Sequence, residues 1–334
     1  MASIVRAHAS AATAFRCERT GCGGVSLRAH RPRGRRRGAE SGGSCEIVGR
    51  VIFAEKPAVV GHRGFGRGTQ RGFAENTVES CLAAVESGVS WIEIDAQRTA
   101  DDQLVLRHDW TAPDGACIVD RTAAELARQG IARLADVLDA VPAEIGIDID
   151  VKTVLADATA LTSRRTGALL AAALAKESRR RPLLVTSFDP GLLISLRPAL
   201  PQVSFGLLTW LNFPLQHAIP GAAGLGMQAV GLHTGSFGQR KEACCPAGEE
   251  QACAEQAGEE QAGEEQAGDE LPSPAAAGAI AAAHEAGLDV LVWCPSPAAA
   301  LRYAAAGADA LCVDDVPATL AALRRSRRGH ATDE

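Results

Sequence analysis

No run in this 334-residue chain approaches the roughly eighteen consecutive apolar residues of a membrane span; GALLAAALA, from Gly167 to Ala175, is about half that length. Stable membrane insertion is therefore not expected. The ten cysteines include no CxxC pair. Three lie in the first fifty residues and three in a late acidic stretch, while Cys81, Cys117, Cys294 and Cys312 are scattered. This spacing supports neither a zinc site nor a disulfide framework, and a reducing, cytoplasmic compartment is the simplest expectation. No continuous apolar stretch follows a basic start, which argues against a secretory signal. Basic charge is also missing where a nucleic-acid binder needs it. Residues 1–50 carry ten arginines against three glutamates, and residues 242–270 carry ten acidic and no basic side chains. Of the net −6, the rest of the chain accounts for only −3. A folded part without basic excess argues against nucleic acid as a partner.

What is present is an ordinary globular chain with unusual ends. Hydrophobic content is 46%, ample for a core. Residues 1–55, with the run RPRGRRRG, are expected to be a disordered Arg-rich segment, and residues 326–334 a disordered tail. The repeating EEQAG unit within 241–273 places glycine every five residues among adjacent like charges, so it is expected to be a disordered surface insertion. Between these, over 56–325, strand and helix patterns alternate about eight times. The strands are AVVGH, SWIEIDAQ, IGIDIDVKT, PLLVTSF, VSFGLLTW, QAVGLH, DVLVWC and ADALCVDD. That alternation favours a closed α/β TIM-type (β/α)8 barrel; periodicity alone leaves a doubly wound open sheet as the competitor. LVLRHD follows the second strand after the turn residues ADDQ, which predicts a small hairpin insertion there.

The chemistry is concentrated between Gly61 and Asp109, which reads GHRG, AENT, WIEID and LVLRHD, and in IDIDVK from Ile147 to Lys152. Alternate residues of a strand share a face. Glu93 and Asp95 therefore face away from Ile92 and Ile94, and Asp148, Asp150 and Lys152 face away from Ile147, Ile149 and Val151. Barrel strands usually carry apolar residues on both faces, so two charged rows are the strongest signal in the sequence. Buried carboxylates need partners or a metal, and an all-oxygen set favours Mg²⁺ or Ca²⁺. Arg63 and Lys152 are suited to neutralise a phosphate. His62 and His108, at strand ends, are suited to proton transfer, with their individual roles left open. This is the equipment for cutting a phosphate ester.

The ordered series GHRG, AENT, IEID, LVLRHD and VK, with VTSFDP and VLVWC, resembles the glycerophosphodiester phosphodiesterase family over roughly Ala58 to Leu323. The resemblance implies a TIM-type barrel, a divalent cation held by Glu93, Asp95 and Asp150, and His62 and His108 as the acid–base pair. It also implies a small-molecule glycerophosphodiester substrate, hydrolysed to sn-glycerol 3-phosphate and an alcohol, by way of a cyclic phosphate. The chain departs from the family pattern at three places. Asp150 stands where glutamate is usual, the loop between HRG and ENT is lengthened by a stretch with Arg67 and Arg71, and WCPS (Trp293 to Ser296) replaces W-T-V-N. The alternatives are a phospholipase D-like phosphodiesterase acting on lysophospholipid or sphingolipid head groups, with WLNFPL as its apolar approach, and a catalytically weakened phosphoester-binding barrel.

Around this centre, Asp148 is expected to support the metal ligands and Trp293 to line the substrate pocket, with His233 and Trp210 as further candidates. Glu75 and Asn76 are expected to open a helix, with an N-terminal capping and loop-fixing role, and Asp314 and Asp315 to end the last strand and cap the segment after it.

Overall fold

The computed structural model describes residues 52–237 and 274–330. The expected acidic insertion and nearly all of the expected N-terminal segment lie outside the described residues. The strands are β1 (Ala58–Gly61), β2 (Thr69–Gln70), β3 (Phe73–Ala74), β4 (Trp91–Arg98), β5 (Leu104–Leu106), β6 (Gly146–Val151), β7 (Leu183–Ser187), β8 (Ser204–Leu208), β9 (Ala229–His233), β10 (Asp289–Trp293) and β11 (Ala310–Val313). A single sheet runs β1-β11-β10-β9-β8-β7-β6-β4, all parallel, and β1 also pairs with β4. The barrel is closed, which excludes the open sheet. β5 pairs antiparallel with β4, Gln97 opposite Val105, as the hairpin after the second barrel strand.

Two apolar layers hold the barrel. Ile92, Ile94, Ile147, Ile149, Val185 and Val230 pack outward against helices such as Thr166–Glu177 and Pro190–Leu196. Inside, toward the amino ends of the strands, Val60, Trp91, Leu184, Ala229, Leu291 and Ala310 form a second cluster. Ile52 and Phe53 belong to it, with the Phe53 ring 5.1 Å from Trp91 in an edge-on contact. Among the described residues, this packing includes Ile52, four residues before the expected boundary at 56. An aromatic ring closing an otherwise open apolar floor recovers about 2–3 kcal/mol of burial.

Helix ends follow side-chain chemistry. The helix Val78–Ser87 is capped by the Thr77 hydroxyl, which accepts from the Ser80 amide, and is stopped by Gly88 at φ 99°. It starts three residues later than the pattern predicts, because Asn76 has φ 58° and cannot be helical. The last helix, Val316–His330, overruns the expected tail at 326. Val316, Thr319, Ala322 and Leu323 form its buried stripe, and exposed Arg324, Arg325, Arg327 and Arg328 sit near its carboxyl end, where the helix dipole favours cations. The helices Ala123–Ala127 and Leu215–Gly224 were not evident in the periodicity; the second contains Pro220. The lengthened loop after β1 folds as a hairpin, β2 to β3, whose turn residues Arg71 and Gly72 both have positive φ. Among the described residues no helix is long and apolar enough to cross a membrane.

Candidate active site

The turn GHRG leaves β1 at the carboxyl end of the barrel. The Gly64 amide donates to the carbonyls of Gly61 and Glu93, both at 3.1 Å, and the Arg63 amide donates to Glu93 Oε2 at 2.8 Å. A side chain at Gly61 would place its Cβ 2.1 Å from the Gly64 carbonyl oxygen, so only glycine permits this closure. Arg63 itself takes a left-handed φ of 53°, which turns its guanidinium into the barrel mouth. The motif is thus a backbone device that sets His62 and Arg63 beside the carboxylates of β4.

Strand register assembles those carboxylates. Glu93 lies opposite Asp148, and Asp95 opposite Asp150. All four are at most 5% exposed. Oxygens of Glu93, Asp95 and Asp150 lie within 4.8 Å of one another. Two cations, buried Arg63 and half-buried Lys152, face them. Lys152 Nζ bridges Asp95 Oδ1, at 3.0 Å, and Asp150 Oδ2; Arg63 Nε stands 3.4 Å from Asp95 Oδ2. Four carboxylates against two cations leave an excess of negative charge. Burial, reinforced by neighbouring acids, pushes the Glu93 carboxyl well above its ordinary range, and burial also raises Asp148 and Asp150. Burial opposes the charge on Asp95 too, yet Lys152 and Arg63 hold it down to about 2. Asp150 Oδ1 and Asp148 Oδ2 are buried without a hydrogen-bond partner. Orphaned carboxylate oxygens, an all-oxygen donor set and surplus negative charge fit a hard divalent cation.

The two histidines are held differently. His62 Nδ1 is 2.6 Å from Asp314 Oδ1, which leaves Nε2 facing the pocket, 3.9 Å from Glu93 Oε2 and 3.3 Å from Arg63 Nε. Burial opposes ionisation of Asp314, but the bond to His62 brings its carboxyl down to about 2. His108 Nδ1 pairs with Asp109 Oδ1 at 3.0 Å, and its side chain is 41% exposed. Its loop is pinned by Gln97, whose Nε2 donates to the carbonyls of Arg107 at 2.6 Å and Asp109 at 2.7 Å.

Three expectations are corrected here. Asp315 caps the last helix through the Ala318 amide, whereas Asp314 orients His62. Asn76 does not cap a helix; its side chain donates to Asp95 Oδ2 and accepts from the Asp95 amide. Glu75 does not cap one either, and its carboxylate meets Arg63 Nη1 at 3.1 Å. Asp148 accepts from the Thr186 hydroxyl at 2.8 Å. Gln97 and Thr186 were missed, although Gln97 lies on the strand face that Glu93 and Asp95 already mark by charge.

The opposite wall of the pocket is apolar, formed by Phe188, Leu208, Leu291 and Trp293. Lys152 Nζ lies 5.6 Å from the centre of the Phe188 ring, and the Trp293 Nε1 is buried without a partner. Trp210 reaches the mouth by stacking on Phe188, with ring centres 4.5 Å apart. His233 packs edge-on against Trp293 and does not itself line the pocket. His62, His108, Arg63, Lys152, Glu93, Asp95, Asp150 and Trp293, the eight residues given catalytic, phosphate-binding, metal-ligand or pocket roles from the sequence, line this one cavity.

Known proteins share this arrangement of elements. The chain is 42% identical over 60 residues to glycerophosphocholine phosphodiesterase GDE1 of Candida albicans, a match covering 17% of this chain and 5% of that protein. The chain thus spans a small fraction of the length of the curated relatives it matches. Among solved structures, the glycerophosphodiester phosphodiesterase of Thermotoga maritima superposes with a TM-score of 0.56 at 19% identity, covering 80% of this chain and 98% of that one. An Oleispira antarctica phosphodiesterase, solved with the product sn-glycerol-3-phosphate, gives 0.57 at 18% identity, covering 80% and 97%. These likenesses carry the fold. The sequence profile of the glycerophosphoryl diester phosphodiesterase family matches residues 62–318, from the histidine of GHRG to the start of the last helix. With the motif order, the barrel and the pocket in agreement, this chain belongs to the glycerophosphoryl diester phosphodiesterase family.

Proposed function

We propose that the protein hydrolyses glycerophosphodiesters to sn-glycerol 3-phosphate and an alcohol, with His62 and His108 as acid and base and Glu93, Asp95 and Asp150 as ligands of Mg²⁺ or Ca²⁺. The observation that carries this reading is the cavity itself, where two carboxylate-paired imidazoles, a guanidinium and an ammonium converge on a carboxylate set with unpaired oxygens. The anionic diester repels a nucleophile, so its oxygens must be neutralised first. Arg63 and Lys152 do this, and their neighbouring carboxylates keep both cationic. A cation bound by the three carboxylates supplies further positive charge to the phosphate oxygens.

Asp314 fixes the orientation of His62 through Nδ1 and turns Nε2 into the pocket, the arrangement of a general base. His62 Nε2 takes the proton of the attacking hydroxyl. His108, on the more exposed loop, donates to the departing alkoxide. The apolar wall of Phe188 and Trp293 excludes water from one side of the substrate. The partner is thus a small molecule, and cytoplasmic residence belongs to the same proposal.

A second reading has one observation in its favour. Trp110, Leu155, Leu161, Trp210 and Leu211 are exposed, and all lie in loops that follow β5, β6 and β8. WLNFPL is therefore accompanied by other apolar residues, which suits a lipid-linked alcohol such as a lysophospholipid. A panel of glycerophosphodiesters, read by release of glycerol 3-phosphate, and of lysophospholipids, read by release of the head-group alcohol, with Mg²⁺ or Ca²⁺ and with EDTA, separates these readings. Release from soluble diesters that EDTA and His62→Ala both abolish supports the first. Turnover confined to lysophospholipids supports the second, and binding without turnover would reduce the protein to a phosphoester-binding barrel.

A further inference from the structure

A second group of donors lies behind His62, on the side away from the carboxylates. Cys294 Sγ is 3.8 Å from His62 Nδ1, and Asp314 Oδ1 is 2.6 Å from the same nitrogen. The three donor atoms lie within 4.8 Å of one another. Far apart in sequence, they follow β1, β10 and β11, which are neighbours in the barrel. Cys294 is partly buried and the Asp314 side chain is 31% exposed, so the group is reachable from the mouth. We propose that His62 Nδ1, Cys294 Sγ and Asp314 form a binding site for a thiophilic divalent cation of the zinc class, whose occupation inhibits the enzyme.

The donor chemistry separates this site from the hard one. Sulfur, imidazole nitrogen and a single carboxylate suit Zn²⁺, whereas the three buried carboxylates suit Mg²⁺ or Ca²⁺. Tetrahedral zinc with bonds of about 2.0–2.3 Å sets its donors roughly 3.3–3.6 Å apart. The sulfur–nitrogen separation is already close to that. The carboxylate oxygen must retreat from the nitrogen by several tenths of an ångström, which its partial exposure allows. Three protein donors leave a fourth position for water. On binding, the Cys294 thiol loses its proton to solvent, the Asp314 carboxylate binds as it stands, and the imidazole proton shifts through solvent from Nδ1, where it faced Asp314, to Nε2, so that the ring binds through the lone pair of Nδ1. The two negative donors then balance the charge of the ion.

Occupation disables catalysis because it uses the ring that the reaction needs. The ion displaces the Asp314 bond and leaves Nε2 protonated, so His62 no longer accepts a proton. This consequence rests on the role proposed for His62; the binding itself does not. Cys312 also lies near His62, but it is only 2% exposed and faces the Glu93 side.

The test uses the full chain, stripped with EDTA and supplied with saturating Mg²⁺, then titrated with Co²⁺ as a spectroscopic stand-in for Zn²⁺. Sulfur-to-cobalt charge-transfer absorption is expected in the parent, lost in Cys294→Ala and in the near-isosteric Cys294→Ser, and retained in Cys312→Ala. Zn²⁺ at micromolar concentration is expected to stop glycerol 3-phosphate release in the parent, with at least roughly tenfold weaker inhibition of Cys294→Ala. An absorption unchanged in both Cys294 variants would place the ion on other cysteines and overturn the proposal. Equal zinc inhibition of parent and variant would also overturn it, by placing the inhibitory ion elsewhere. If no substrate is turned over at all, the cobalt signal still decides whether the site exists.

Discussion

Asn76 grips Asp95 at two points: Nδ2 donates to Oδ2 at 2.8 Å, and Oδ1 accepts the Asp95 amide at 3.0 Å. The residue is 3% exposed and sits at φ 58°, a conformation that asparagine tolerates better than most residues. A ligand carboxylate whose second oxygen is held in this way presents its first in a set direction. Asn76→Ala removes both bonds and strains the turn. It is expected to destabilise the protein by about 2–3 kcal/mol and to weaken Mg²⁺ or Ca²⁺ binding roughly tenfold or more, read by urea unfolding and calorimetry. Unchanged cation affinity would make Asn76 a purely structural residue.

Neighbouring aspartates after β11 have separate tasks. Asp314→Asn keeps the shape but loses the charge on His62, and kcat is expected to fall roughly a hundredfold with little change in KM. Asp315→Ala removes only a helix cap, costing about 1 kcal/mol in stability with turnover intact. Steady-state kinetics and thermal melts on the two variants distinguish the roles. Equal kinetic damage from both would refute the assignment of Asp314.

Lys152 stands between two carboxylates proposed to share a cation. Lys152→Met removes a positive charge from that cluster. The carboxylates are then expected to bind Mg²⁺ or Ca²⁺ more tightly, roughly tenfold, while KM for the diester rises because a phosphate partner is gone. Calorimetry and kinetics thus move in opposite directions. Weaker cation binding in Lys152→Met would show that the lysine orders the ligands and does not compete with the ion.

Burial lowers the His233 imidazole to about 4, and its Nδ1 accepts the Gly235 amide at 3.0 Å. The folded state therefore binds this proton less readily than the unfolded chain, whose histidine titrates near 6.5. The stability involved is fully present above pH ~6.5 and is lost as pH falls toward ~4, by about 1–2 kcal/mol after allowance for solvent screening. Urea unfolding at pH 7 and pH 5 should show a smaller decrease in His233→Gln than in the parent. An identical decrease in both would remove His233 from the acid response.

The barrel, its hairpin and the charged strand faces were legible because they rest on local rules. Alternation along WIEID and IDIDVK placed the carboxylates on one face before any neighbour was known, since a strand repeats every two residues. The GHRG series likewise marked His62 and Arg63. Glu75 and Asn76 fix the loop as expected, but their capping role was misread because AENT precedes a helix and resembles a cap. The left-handed turn at Asn76 that aims it at Asp95 depends on contact with a strand far along the chain.

What the sequence by itself determined is therefore the periodicity of each element, the identity of the charged rows and the glycines that close the first turn. Only the tertiary structure decided which groups meet across the barrel. Asp314 and Cys294 come to His62 from 252 and 232 residues away because closure makes β1, β10 and β11 neighbours. No local pattern encodes that meeting: one strand's repeat says which way a side chain points, and only the closed sheet says what it points at.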